Sequence, residues 1–187
     1  MKKSVNTARA SLLKYDIRAL GVVTDKLKLF GVNIWAFENI GDPIKQGHQV
    51  PEWIKEEFKK VAGENSNWGY SPTEGVDSAR DFVVAEVEKG GIKLDKNDVV
   101  FTSGLGHAIN TLYQVMSGSG TRTIHPSPVY PAHSSMESFF AGAASIFYRC
   151  NPADNWQPDI ADLEEKIRQH PEVGFILLIL PNNPAGV

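Results

Sequence analysis

Six consecutive apolar residues, Phe175-Ile176-Leu177-Leu178-Ile179-Leu180, run straight into Pro181-Asn182-Asn183-Pro184-Ala185-Gly186-Val187. An apolar run of that length without polar alternation predicts a strand buried on both faces, the kind found inside parallel sheets. Such a strand requires helices above and below it, which restricts the chain to a layered α/β architecture. Ligands of open α/β sheets bind beyond the carboxyl ends of the strands. The Asn-Asn-Pro-x-Gly sequence falls at that place, so Asn183 is a candidate ligand contact.

The rest of the chain carries the matching alternation. Apolar residues Leu12, Leu13, Ile17, Leu20, Val23, Leu27 and Phe30 follow a helical period over 11–30, with Gly21 a candidate kink. Pro51 is placed to open a short helix bearing Trp53, Ile54 and Phe58 on one face. Residues 76–89 predict a helix stopped by Gly90-Gly91. Beyond it the spacing predicts a strand over 99–102, a helix over 107–116 and a strand over 122–125. A helix over 132–141 closed by Gly142, a strand over 145–150, a helix from an Asp159 cap to His170 and a strand over 174–180 follow. The expected fold is a three-layer sandwich around a mostly parallel sheet. The stretch before residue 75 is richer in turn signals and is expected to belong in part to another domain or an arm.

Charge is nearly balanced, with 19 basic and 22 acidic residues and a net charge of −3, so nothing favours nucleic acid or an anionic membrane as partner. A single cysteine, Cys150, excludes an internal disulfide. No run approaches the ~18 apolar residues of a membrane span, and the first residues lack a signal-type apolar core. A cytoplasmic location is the expectation.

Chemistry-bearing segments recur after successive strands. Ser103-Gly104-Leu105-Gly106 lies between a strand and a helix, where small residues let backbone amides converge on an anion at a positive helix end. The plain alternative is a tight turn that needs glycine. A dinucleotide fingerprint fits poorly, because Ile109 stands where a small residue is required and the next strand ends in His125-Pro126 rather than an acid. Pro126-Ser127-Pro128-Val129-Tyr130-Pro131 holds one aromatic ring in a proline-rigid frame suited to stacking on a flat ligand. His133 opens the following helix. Asn183 offers an amide donor, and a common turn asparagine before proline is its alternative. Ser11-Leu12-Leu13-Lys14 fits the S-x-x-K pattern of serine β-lactamases, but neither companion motif occurs. The five histidines are scattered without the spacing of a metal site. An anion cradle, a stacking ring and an amide, each after a strand of one parallel sheet, would meet in one crevice.

In these features the chain resembles the fold-type I, class I pyridoxal-phosphate aminotransferases, in the alanine/tyrosine/aspartate branch. The resemblance runs from about Tyr15 to Val187. Its pieces stand in family order: Tyr15-Asp16-Ile17-Arg18, Asn39-Ile40-Gly41-Asp42-Pro43, Gly69-Tyr70-Ser71-Pro72-Thr73-Glu74-Gly75, Ser103-Gly104-Leu105-Gly106, Pro128-Val129-Tyr130-Pro131, Trp156-Gln157-Pro158-Asp159 and Asn182-Asn183-Pro184-Ala185-Gly186. The resemblance implies pyridoxal 5′-phosphate as cofactor and transfer of an amino group from an amino acid to a 2-oxo acid. It implies that Ser103, Gly104, Leu105 and Gly106 hold the cofactor phosphate, that Tyr130 stacks on its pyridine ring, and that His133 sits in a second layer beneath the ring. Asn183 would bind the ring's 3′-oxygen and, with Gly41, border the substrate. Tyr70 would reach the cofactor of the partner subunit in a homodimer. The implied division is a small-domain and arm segment over 1–50 and the N-terminal half of the cofactor-binding large domain over 51–187.

Departures from the family pattern are Ala185 in place of Thr, and His107-Ala108 at the helix start. In this family the Schiff-base lysine, the acid that pairs with the pyridine nitrogen and the arginine that binds the substrate carboxylate follow the Asn-Pro-x-Gly motif. None of the lysines here lies in that setting, so these 187 residues alone are expected to be inactive and to leave a sheet edge uncovered. A non-catalytic cofactor-binding half and a C–S lyase of the same fold share the motifs present and stand as alternatives.

Overall fold

A computed structural model describes residues 8–14, 16–34 and 40–187. Tyr15 and Asn39, members of two of the motifs above, lie outside the described residues, as do the side chains of Asp16 and Arg18. The apolar period over 11–30 resolves into a 3₁₀ turn at Ala8–Leu12 and helix α1 (Asp16–Leu29), and Gly21 lies inside α1 without interrupting it. The described residues form two compact units: those before residue 40 together with Ser103–Val187, and Ile40–Thr102.

Within Ile40–Thr102, Pro51 stands as the N-cap of α2 (Glu52–Gly63) rather than as its first helical residue. Trp53, Phe58 and Val61 on α2 are exposed. Helix α3 (Asp77–Lys89) ends at Gly90-Gly91 as its glycines predict. Its Arg80 is buried and donates to the Lys96 carbonyl from Nε (3.0 Å) and from a terminal nitrogen (2.7 Å), tying α3 to the 3₁₀ turn Lys96–Asp98. The strand predicted over 99–102 does not form. Phe101 donates one backbone bond to Glu74 (3.0 Å) and lies across Gly75, whose φ is +109° and where a Cβ would come within 2.5 Å of the Phe101 ring. β-Propensity alone makes no strand where no partner strand is alongside.

The second unit holds the sheet. After α4 (Leu105–Met116) come β1 (Arg122–Ser127), α5 (Pro131–Ala141), β2 (Ile146–Asn151), β3 (Gln157–Pro158), α6 (Ile160–Gln169) and β4 (Val173–Ile176). The order across the sheet is β3-β2-β1-β4, with β1 parallel to both β2 and β4 and only the short β3 antiparallel. Alternation along β1 shows helices on both faces. Ile124 packs with Ile146, Tyr148 and Cys150 in a core joined by Trp156, Val173 and Leu163 of α6, whereas the next residue, His125, meets Tyr113 of α4. The expected layered α/β sheet is therefore present.

Local signals set the helix ends. Asp159 Oδ1 accepts from the Asp162 amide (3.0 Å) and caps α6. Gly142 ends α5 in the left-handed region (φ +72°), its amide bonded to Ser138 O at 2.9 Å. Arg122 and Glu137 form a buried two-pronged ion pair at 2.6 and 3.1 Å, and Arg122 also donates to the Ala144 carbonyl (2.7 Å). Removing one partner of such a pair costs roughly 3–5 kcal/mol, because the other charge stays buried.

The apolar run 174–180 differs from its prediction. Regular pairing covers Val173–Ile176, extended by the Leu177 amide bonding Ile124 O (2.9 Å). Phe175, Ile176, Leu178 and Leu180 are exposed instead of buried on both faces. The cause is position: β4 is the outer strand among those described, and no described strand pairs with its far side.

Candidate functional site

Gly104 is the N-cap of α4 with φ +84°, and no side chain caps the helix. The four leading amides of a helix lack intrahelical acceptors. Those of His107 and Ala108 turn back to the Gly104 carbonyl (3.1 and 3.3 Å). The Ser103 amide donates to His107 Nδ1 (3.2 Å). No described residue accepts from Leu105 or Gly106. A Cβ built at Gly104 or Gly106 meets nothing within 4 Å. Two amides with no described acceptor, on exposed residues at a positive helix end, are suited to an anion. His107, a departure from the family pattern, thus takes up the Ser103 amide and leaves those of Leu105 and Gly106 as the candidate anion donors.

Tyr130 is the N-cap of α5, with Pro131 as the first helical residue fixing the entry of the chain. Its ring stands 6.1 Å from the His133 ring at 77°, one helical turn on. His133 is half-buried, and burial lowers its pKa.

Behind His133 lies a polar group that the sequence does not advertise. Tyr113 Oη lies 3.4 Å from His133 Nδ1 and 3.3 Å from His125 Nε2, and His125 Nδ1 lies 3.4 Å from the Ile146 carbonyl. His125 is fully buried. Burial pulls its pKa down to about 4 against the opposing charge of Glu137. Burial and the same carboxylate push the Tyr113 phenol well above its ordinary value. Tyr113 looks like one more apolar position on α4, and His125 like one of the scattered histidines. A histidine in the middle of an otherwise buried strand was the available signal.

The two asparagines after β4 divide their tasks. Asn182 Oδ1 accepts from the Ala185 amide (3.0 Å), its carbonyl accepts from Gly186 (2.7 Å), and Gly186 adopts φ +76°. Asn182 therefore closes the turn. Asn183 is exposed, and no described residue bonds its amide.

Gly41 and Tyr70 belong to the unit Ile40–Thr102. Gly41 is exposed, and Tyr70 is fully exposed on the segment after the 3₁₀ turn Asn65–Trp68. Ser103, Gly104, Leu105, Gly106, Tyr130, His133 and Asn183 all lie in the sheet-bearing unit. Among the described residues no cluster of His, Cys, Asp and Glu could hold a metal ion, and no helix is long and apolar enough to cross a membrane.

Several known proteins are similar to the chain. An uncharacterised aminotransferase of Methanocaldococcus jannaschii is 38% identical over 187 residues, covering 100% of this chain and 43% of that protein. The alanine aminotransferase of Mycobacterium tuberculosis is 35% identical over 79% of this chain and 34% of its own length. The solved structure of an alanine aminotransferase from Pyrococcus furiosus superposes with a TM-score of 0.85 at 31% identity, covering 97% of this chain and 45% of that one. The chain thus spans less than half the length of these relatives, and its fold is that of the fold-type I transferases. The profile of the family described as aminotransferase class I and II matches residues 39–187, and the chain belongs to that family.

Proposed function

We propose that the protein transfers an amino group from an amino acid to a 2-oxo acid with pyridoxal 5′-phosphate as cofactor. The observation that carries this reading is the pair of amides at Leu105 and Gly106, exposed and without an acceptor among the described residues at the uncapped start of α4. The cofactor, when bound, supplies an electron sink that stabilises a carbanion at the amino acid's α-carbon. The residues present fit it. Leu105 and Gly106 hold the phosphate through their amides, with Ser103 and Gly104 shaping the turn. Tyr130 stacks on the pyridine ring, with His133 in the layer behind. Asn183, left free by Asn182, would donate its amide to the ring's 3′-oxygen and border the substrate.

The reading extends to assembly. Residues 1–50 act as arm and small-domain segment, and 51–187 as part of the cofactor-binding domain. Full exposure of Tyr70 suits a side chain that crosses to the cofactor of the partner subunit in a homodimer. Relatives named alanine aminotransferase and glutamate-pyruvate aminotransferase make alanine and 2-oxoglutarate, the 2-oxo acid of glutamate, the first substrates to try.

The polypeptide as its gene encodes it is assayed for pyruvate formed from alanine. The expected result is pyruvate release that depends on both pyridoxal phosphate and the 2-oxo acid. Pyruvate released from cysteine conjugates without any 2-oxo acid would instead make it a lyase, and no amino transfer from any of the common amino acids would overturn the proposal.

A further inference from the structure

The Tyr113–His125–His133 group has only one consistent direction of hydrogen bonding. The Ile146 carbonyl can only accept, so His125 carries its proton on Nδ1 (3.4 Å). His125 is fully buried, which opposes a second proton, so its Nε2 is bare. Tyr113 must then donate its single hydroxyl proton to that Nε2 (3.3 Å). Its oxygen has only lone pairs left for His133 Nδ1 (3.4 Å), so His133 carries its own proton there. The reverse direction would require His125 to hold protons on both nitrogens inside the fold. The rings keep this order by packing: Tyr113 lies 6.0 Å from His125 at 41° and 6.0 Å from His133 at 83°. Phe147 of β2 closes the far side, 5.9 Å from His125. The charged groups felt by His125 are Glu137 on α5, which favours its protonation, and Arg122 on β1, which opposes it; His133 opposes it as well. Glu137 is bonded to Arg122 at both carboxylate oxygens, so the nearby pair is internally neutralised.

We infer that Tyr113 and His125 are positioning residues that fix His133 as its Nδ1–H tautomer, so that the imidazole beside Tyr130 presents a lone pair at Nε2. At Nε2 a neutral His133 then accepts a hydrogen bond and cannot give one, because its single proton is held at Nδ1. Its value to the reaction rests on the cofactor reading above, in which His133 lies in the layer behind the stacked ring. The tautomer itself does not depend on that reading.

The test is a two-bond ¹H–¹⁵N correlation spectrum of the histidine rings in the ¹⁵N-labelled chain at about pH 8, without cofactor. His125 and His133 should both show the Nδ1–H pattern. In Tyr113→Phe, His133 should lose that pattern and move toward the Nε2–H form that free imidazole prefers, while His125 keeps its own. In His125→Leu the Tyr113 proton is released, and His133 should shift in the same direction although Tyr113 is still present. A purely space-filling role for Tyr113 would leave the tautomer unchanged. An Nε2–H His133 in the wild type overturns the inference, as does an Nδ1–H His133 that persists in both variants. If one variant fails to fold, the other decides, together with the wild-type spectrum. Loss of cofactor binding would sink the functional proposal without touching this result.

Discussion

Among the described histidines, His125 is the one whose charging the fold opposes most. Its folded pKa of about 4 lies below the ordinary 6.5 because burial outweighs the pull of Glu137. Between those values the unfolded chain binds the proton and the folded chain does not. Stability from this group is therefore complete above pH 6.5 and is lost as pH falls toward 4. A shift of that size corresponds to about 3 kcal/mol. The depressed His133 acts in the same direction. Urea unfolding between pH 7.5 and 4.5 should show the midpoint falling with pH, and His125→Asn should flatten that fall; an unchanged slope in the variant would place the acid sensitivity elsewhere. At this scale the sequence was only partly legible. Asn183 and Tyr130 stood out because proline and glycine frame them locally. Tyr113 did not, because its partners come from β1 and α5 and no local pattern marks such a meeting.

Elements with their own caps were legible from the chain alone. Helix α6 begins where Asp159 predicts, because an acceptor one turn ahead of orphan amides is a local arrangement. Helix α5 ends at Gly142 for the same kind of reason. Asp159→Ala should lower stability by about 1 kcal/mol, the ordinary cost of a lost cap, read as a shift in the denaturant midpoint. The side chain also meets Arg149 at 2.7 Å, but Arg149 is exposed, and that pair adds little. A midpoint unmoved by the change would mean that α6 is held by its packing through Leu163 and not by its cap. The strand expected over 99–102 failed for the opposite reason. Its apolar residues fit a strand, but a strand needs a neighbour, and Phe101 finds only Glu74 and the bare backbone of Gly75. The apolar residues of 175–180 did mark a strand of the parallel sheet. Their burial did not follow, because burial depends on what flanks β4 and not on β4 itself.

For the whole molecule, the sheet, its parallel order and the helices on its two faces follow from alternating periods that any reader of the sequence can find. Family membership follows from motifs that stand in order along the chain and is shown by the match over residues 39–187. We propose that these residues hold the phosphate and ring of pyridoxal phosphate. Pyridoxamine 5′-phosphate tests it most directly, since it has no aldehyde and cannot condense with exposed lysines. Calorimetric titration of the chain should give saturable, stoichiometric binding that inorganic phosphate displaces. Gly106→Glu, which puts a carboxylate into the open space at the helix start, should weaken that binding by roughly tenfold or more, a loss of at least about 1.4 kcal/mol. Absence of saturable binding, or equal binding by Gly106→Glu and the wild type, would contradict the account.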